Sequence, residues 1–238
     1  MAELSNAERF LNAYSELEHE LKRILNLKDH RPFTELVNKG ARVNPVIEKH
    51  HFDLREYSEL RNAIVHDRAG GEIIAEPNGD AVADIEHIAR LLLEPPRVLP
   101  LFQKKVLTLQ IDHPAARAIR ELSKLTYTQA PVLENGRVIG LLTLNMIVQW
   151  MGLSLAENSF DIEKTSIGEL MRVVDHKGSY EIVSADTSLP EIPGLFNKWQ
   201  NKDKKLEAVL ITGNGKVDQP LQGIITNRDL PLIYSELE

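Results

Sequence analysis

One pattern that occurs twice in the second half of this sequence constrains its fold more than any other feature. Ala130-Pro131-Val132-Leu133, the turn Glu134-Asn135-Gly136 and Val138-Ile139-Gly140-Leu141-Leu142-Thr143 read as strand, turn and strand. Ala208-Val209-Leu210-Ile211, Gly213-Asn214-Gly215 and Leu221-Gln222-Gly223-Ile224-Ile225-Thr226 repeat them with a longer hairpin. A helix follows each copy, around residues 147–150 in the first and from Asp229 in the second. A strand and a helix also precede each copy, 106–111 with 115–125 and 181–184 with 189–199. The order strand, helix, strand, strand, helix, twice in tandem, predicts a duplicated β-α-β-β-α module.

The first 95 residues have a different period. Phe10, Tyr14, Leu17, Leu21 and Ile24 repeat at 4-3-4-3 behind a cap at Ser5 and Asn6, with Glu16, Glu20 and Arg23 assigned to the wet side. Pro32 suits the first turn of a second helix. A third helix turns Leu60 and Ile64 inward and stops at Gly70-Gly71. A short extended piece, Glu72-Ile73-Ile74-Ala75, and the turn Pro77-Asn78-Gly79-Asp80 follow, and Val82, Ile85, Ile88, Ala89 and Leu92 mark a closing helix. Pro95, Pro96 and Pro100 then read as a semi-rigid spacer. The expected fold class is α + α/β: a helical bundle over 1–95, a linker over 96–103 and the duplicated module over 104–238, its copies at about 104–152 and 165–238.

Composition narrows the function classes. There is no cysteine, so disulfides, thiolate metal sites and a cysteine nucleophile are excluded. No run approaches the ~20 apolar residues of a membrane span, and the first residues lack the order of a signal peptide, so a cytoplasmic protein with no membrane partner is expected. With 28 basic and 35 acidic side chains the net charge is −7, which disfavours broad nucleic-acid coating. His50-His51 point about 100° apart on a helix and make a poor chelate, so no metal is expected. Trp150 and Trp199 suit core or interface anchors, the lysines of 198–205 a solvated loop, and Glu18 and His19 a helix surface.

Arg61-Asn62-Ala63-Ile64-Val65-His66 is the strongest chemical candidate. Asn62 and His66, four apart, share a helix face that Arg61 borders. Histidine titrates near neutrality, arginine offers a fixed positive fork for phosphate and asparagine both donates and accepts, so the three suit phosphoryl chemistry on RNA.

With its helix order, this motif resembles the HEPN domain, whose ribonuclease members carry Arg, a polar residue, three residues and His. The resemblance covers about residues 1–95 and implies a homodimer with facing motifs and metal-independent cleavage by Arg61, Asn62 and His66. Toxin members controlled by tyrosine adenylylation carry a Tyr two residues after the His. Arg68 stands there, and Tyr57 lies elsewhere on the helix.

The duplicated half, with Gly140-x-x-Thr143 and Gly223-x-x-Thr226 closing its copies, resembles a tandem pair of cystathionine-β-synthase (CBS) motifs. That resemblance implies a cleft for an adenosine nucleotide such as AMP, ADP or ATP, with Thr226 and Asp229 on phosphate and ribose. Arg228 is placed to meet phosphate, and backbone near Ile182, Ser184 and Ala208 would read adenine. The first copy has Thr143 but Met146 where the second has Asp229, so one site is expected. Thr226 and Asp229 equally suit a helix cap. The expectation is an endoribonuclease acting on RNA and not DNA, using no cofactor, leaving 2′,3′-cyclic phosphate ends and regulated by a nucleotide. The alternative is a non-catalytic nucleotide sensor with a helical dimerisation or docking domain.

Overall fold

The computed structural model describes residues 4–66, 68–69, 72–73, 76–157, 159–174, 180–200 and 205–237. They form two units, one of 1–96, 188–194 and 233–238, the other of 97–187 and 195–232.

In the first unit, α1 (Asn6–Ile24) starts at a reciprocal cap: the Ser5 hydroxyl accepts from the Glu8 amide at 3.2 Å, and the Glu8 carboxylate accepts from the Ser5 amide at 2.8 Å. Phe10, Leu17 and Leu21 are fully buried. Glu20, expected on the wet side, is only 4% exposed. Arg23 reaches back and holds both its oxygens, at 2.8 and 2.6 Å, which makes that burial tolerable. In α2 (Phe33–Gly40), Pro32 is the N-cap, just ahead of the first-turn place expected for it. An added Cβ on Gly40 would lie 2.8 Å from Ile47 Cδ1 and 3.2 Å from Leu21 Cδ2, so the end of α2 packs closely against both side chains. Ile47 lies on α3 (Pro45–Lys49), an element the apolar spacing does not reveal; Asn44 caps it by accepting from the amides of Val46 and Ile47 at 2.9 and 3.3 Å. Next, α4 (His51–His66) carries the Arg-Asn-His motif and buries Leu54 and Ile64, with Leu60 half-buried. β1 (Arg68–Ala69) and β2 (Glu72–Ile73) pair antiparallel. The Gly70-Gly71 stop and the end of the extended piece at Ile74 and Ala75 lie outside the described residues. Asn78 caps α5 (Gly79–Leu93), which packs Val82, Ile85 and Ile88 into the core beside α1. Each large aliphatic side chain buried in this way stabilises the bundle by roughly 1.5–3 kcal/mol.

In the second unit a single turn, α6 (Val98–Leu101), occupies the stretch expected as linker, and Val98 is fully buried. The first copy comprises β3 (Leu109–Gln110), α7 (Ala115–Leu125), β4 (Gln129–Glu134), β5 (Arg137–Thr143) and α8 (Leu144–Ala156). β3 runs parallel to β4, and β4 antiparallel to β5. Asn135 and Gly136 join β4 to β5 with φ of 50° and 77°, the left-handed pair that a two-residue hairpin turn requires. An unforeseen helix, α9 (Ile167–Val173), follows, with Ser166 and Glu169 capping each other. The second copy repeats the first through β6 (Tyr180–Ser184), α10 (Glu191–Gln200), β7 (Ala208–Thr212), β8 (Leu221–Thr226), a 3-10 turn (Asn227–Asp229) and α11 (Leu230–Glu236). Its sheet has the same order and the same strand directions.

One core of this unit gathers Leu109, Leu122, Val132, Leu142, Ile147, Trp150 and Leu170; another joins Val138 and Leu141 of the first copy to Ala208 and Leu210 of the second, with Ile182 and Ile224 against it. Trp199 donates its indole N–H to Glu181 at 2.7 Å. The copies are also tied through backbone: Gln103 bridges to Gly223, and the Lys104 amide donates to the Gln222 carbonyl at 3.2 Å. Among the described residues no helix is long and apolar enough to cross a membrane.

Candidate functional site

The junction of β8 and α11 is built by the order of its residues. Thr226 ends the strand with an extended backbone, and the chain turns at once into the 3-10 segment. Asp229 folds back so that its Oδ2 accepts from the Thr226 amide at 2.7 Å and from the Thr226 hydroxyl at 2.9 Å. The cap reading of these two residues is therefore realised, and it fixes the carboxylate beside a cavity of about 210 Å³. Thr226, Arg228 and Asp229 line that cavity with Lys104 and Lys105 from the lead-in to the first copy. Val106, Leu107, Pro131 and Ile224 give it an apolar wall, and Tyr127, Thr128 and Gln129 contribute from the segment after α7. Three cations face one carboxylate in a chain whose net charge is −7. An anion with an apolar part suits such a wall, because the cations are drawn to its charge while the aliphatic and aromatic surface receives the rest.

The matching junction of the first copy differs where the sequence differs. Thr143 caps α8 by accepting from the Met146 amide at 3.2 Å. Met146 is 4% exposed and belongs to the core, so no carboxylate stands where Asp229 stands in the second copy. A neighbouring hollow, lined by Thr143, Asn145, Lys205 and Glu207, shares Thr128, Gln129, Thr226 and Arg228 with the cavity. Lys205 pairs there with Glu207 at 3.2 Å.

Of the residues tied to adenine by the sequence, none lines the cavity. Ala208 is fully buried and pairs with Thr226 across the β7–β8 ladder. Ser184 pairs with Thr212 at the other end of β7, about 13 Å along the strand. Its hydroxyl donates to the Gly213 carbonyl at 3.2 Å. Ile182 packs against the core that joins the copies. Lys104, Lys105, Tyr127 and Gln129 were not singled out by sequence. Lys104-Lys105 just ahead of the first strand was the available signal, but its meaning depends on the lead-in crossing to β8.

In the first unit the motif occupies the last turn and a half of α4. Arg61 is half-buried; its Nη1 donates to Asn62 Oδ1 at 3.3 Å, and its guanidinium lies 6.0 Å from the centre of the Tyr14 ring. That ring stacks on Phe33 at 4.2 Å. Asn62 is exposed. His66 is the last residue of α4; its side chain, like that of Arg68, is outside the described residues. Tyr57 donates to Asp84 at 2.6 Å, and burial, together with the carboxylate, raises its phenol well above the usual range. His51 bonds Asn38 at 2.7 Å, His50 is buried 3.7 Å from Asp53, and Glu18 pairs with Lys22 at 2.6 Å. Residues 201–204 of the lysine run lie outside the described residues.

Residues 99–152 match the family model of the CBS domain, less than a quarter of the chain, reaching from within α6 to within α8. Solved structures similar to this chain include a CBS domain protein from Streptococcus pneumoniae, 21% identical, covering 57% of this chain and 81% of that one, with a TM-score of 0.42. CbpB in complex with c-di-AMP is 16% identical over 67% of this chain and 95% of that one, at 0.46. The CBS domain pair of MJ0100 in complex with 5′-methylthioadenosine and S-adenosyl-L-methionine is 16% identical over 60% and 99%, at 0.43. No curated protein matches the chain.

Proposed function

We propose that the second unit binds a phosphorylated adenosine nucleotide beside Asp229 and that this ligand regulates a metal-independent endoribonuclease in the first unit. The observation that carries the reading is the cavity, where Lys104, Lys105 and Arg228 surround one carboxylate already fixed by Thr226. A phosphate suits the cations and a ribose hydroxyl suits Asp229, while the apolar wall suits a base.

The ribonuclease half rests on the motif. His66 would take the proton of a ribose 2′-hydroxyl, or give one to the leaving 5′-oxygen. Arg61 would stabilise the charge that grows on the phosphoryl oxygens, and Asn62 would orient phosphate or imidazole. RNA is then cut to a 2′,3′-cyclic phosphate and a 5′-hydroxyl, and DNA, lacking the attacking hydroxyl, is not. The enzyme works in the cytoplasm as a homodimer. A second reading, a non-catalytic nucleotide sensor, is favoured by one observation: the Arg61 guanidinium is engaged by Tyr14 and Asn62 within its own unit.

The separating experiment follows a labelled single-stranded RNA in EDTA, with and without AMP. Wild type should cut it, while His66→Ala and Arg61→Ala each lose on the order of 10²-fold or more. AMP should change the wild-type rate. No cutting, with AMP bound, establishes the sensor.

A further inference from the structure

Apart from the Asp229 cavity, the second unit holds an open hollow of about 700 Å³ lined from the end of α8, the segment 159–166 and α9. Trp150, Leu153 and Val173 give it apolar surface, the last two 48% and 58% exposed. Three carboxylates also line it, those of Glu157, Asp161 and Glu169. Asp161 is matched by Lys164 at 3.2 Å. Glu157 and Glu169 have no cation at ion-pair distance among the described residues. The cap on α9 uses one oxygen of Glu169: its Oε2 accepts from the Ser166 amide and hydroxyl at 2.7 and 2.8 Å.

Ser154 adds a polar group that the fold leaves open. It is only 6% exposed, yet it lines the hollow. Its carbonyl takes the Ser159 amide and hydroxyl, whereas its own hydroxyl has no hydrogen-bond partner among the described residues. A hydroxyl so placed costs stability unless something inside the hollow meets it.

The arrangement selects among cations. Among the described residues no three histidine or carboxylate side chains are grouped to hold a metal ion. The negative charge is therefore spread around the hollow, whereas a hard ion needs its oxygens gathered at about 2.0–2.6 Å. A cation whose charges are spread along a methylene chain has the matching form. Alkyl ammonium groups stay charged at neutral pH, as lysine does, and donate well to carboxylates, while the chain between them rests on apolar side chains. We infer that this hollow binds an aliphatic polyamine, with ammonium groups on Glu157 and Glu169, methylenes against Leu153 and Val173, and Ser154 accepting from the ligand. This inference is independent of the nucleotide and ribonuclease readings.

The test is isothermal titration calorimetry of the full chain with spermidine in ~0.15 M salt, where loose attraction to a surface of net charge −7 is screened. Spermidine should bind at one saturable site per chain. Hexylamine, with one charge on a similar chain, should bind at least ~10-fold more weakly, the scale of one lost hydrogen bond between charged groups. Glu157→Gln, at the exposed end of α8, should lose roughly as much with unchanged melting, and Ser154→Ala should also bind more weakly. Glu134→Gln removes an exposed carboxylate outside the hollow and should bind as wild type does. No saturable binding, hexylamine as tight as spermidine, Glu157→Gln as tight as wild type, or an equal loss in Glu134→Gln would each overturn the inference.

Discussion

Replacing Asp229 by alanine separates two roles of one carboxylate, one seen in the structure and one proposed. The first is structural: Oδ2 accepts from the Thr226 amide and hydroxyl at 2.7 and 2.9 Å. Loss of a helix-cap side chain costs about 0.5–2 kcal/mol, and at ~2–4 °C per kcal/mol the ligand-free variant should melt roughly 1–8 °C lower. The second role is the proposed contact to ribose. A nucleotide that binds only the folded state at ~100 times its Kd adds about 2.7 kcal/mol, so wild type should gain roughly 5–11 °C. Asp229→Ala should gain almost nothing at the same AMP concentration. Asp229→Asn keeps the shape and one accepting oxygen, so its ligand-free melting should lie closer to wild type while its AMP response stays lost. The assay is differential scanning fluorimetry across an AMP titration, followed on Trp150 and Trp199, which both lie in the second unit. A variant that melts lower without ligand yet keeps the full AMP shift would leave Asp229 as a cap only and refute the ribose contact.

Gly223→Ala should destabilise the second unit by about 1–3 kcal/mol or more, because an added Cβ would sit 2.3 Å from the Phe102 carbonyl oxygen, a backbone atom with no rotamer to escape into; melting unchanged within a degree would contradict that packing. His50 supplies a pH test. Burial, first of all, holds its imidazole below the ordinary histidine value near 6.5; Asp84 and Asp53 oppose this, while Lys49 and His87 add to it, and its buried Nε2 has no hydrogen-bond partner among the described residues. The unfolded chain therefore takes up a proton near pH 6.5 that the folded unit resists, so this contribution is present above that pH and is lost as pH falls below it. Circular-dichroism melts from pH 7.5 to 5 should fall in wild type and flatten in His50→Phe, and parallel curves for the two would remove His50 as the cause.

Where period or cap chemistry was decisive, the fold was legible in the sequence. The 4-3-4-3 run from Phe10 gives α1, and the Asn135-Gly136 pair gives its hairpin because few other residues accept two left-handed conformations in succession. α3 and α9, like the single turn α6 in the stretch expected as linker, are too short to show a period. The caps of α3 and α9 did carry the signal, Asn44 before Pro45 and Ser166 three residues ahead of Glu169. The candidate cavity was half legible. Thr226, Arg228 and Asp229 are adjacent in sequence, whereas Lys104 and Lys105 reach them only through the pairing of residues 103–104 with 222–223. Glu20 misled because its arginine partner lies one turn away, and a period alone does not reveal that pairing.

That pairing also decides how the duplicated half can be divided. The lead-in to the first copy lies against β8 through one bridge, Gln103 to Gly223, and one bond from the Lys104 amide to the Gln222 carbonyl, so the second repeat does not own all of its hydrogen bonds. Cutting the gene between the copies would leave β8 with exposed backbone donors and acceptors and would strip the lead-in of its template, conditions that favour aggregation over folding. Though written twice in the sequence, the module is one object to evolution and to the experimenter. A working truncation keeps residues 97–238 together, so that α11 stays whole, and a transplant to another protein must carry the lead-in with it.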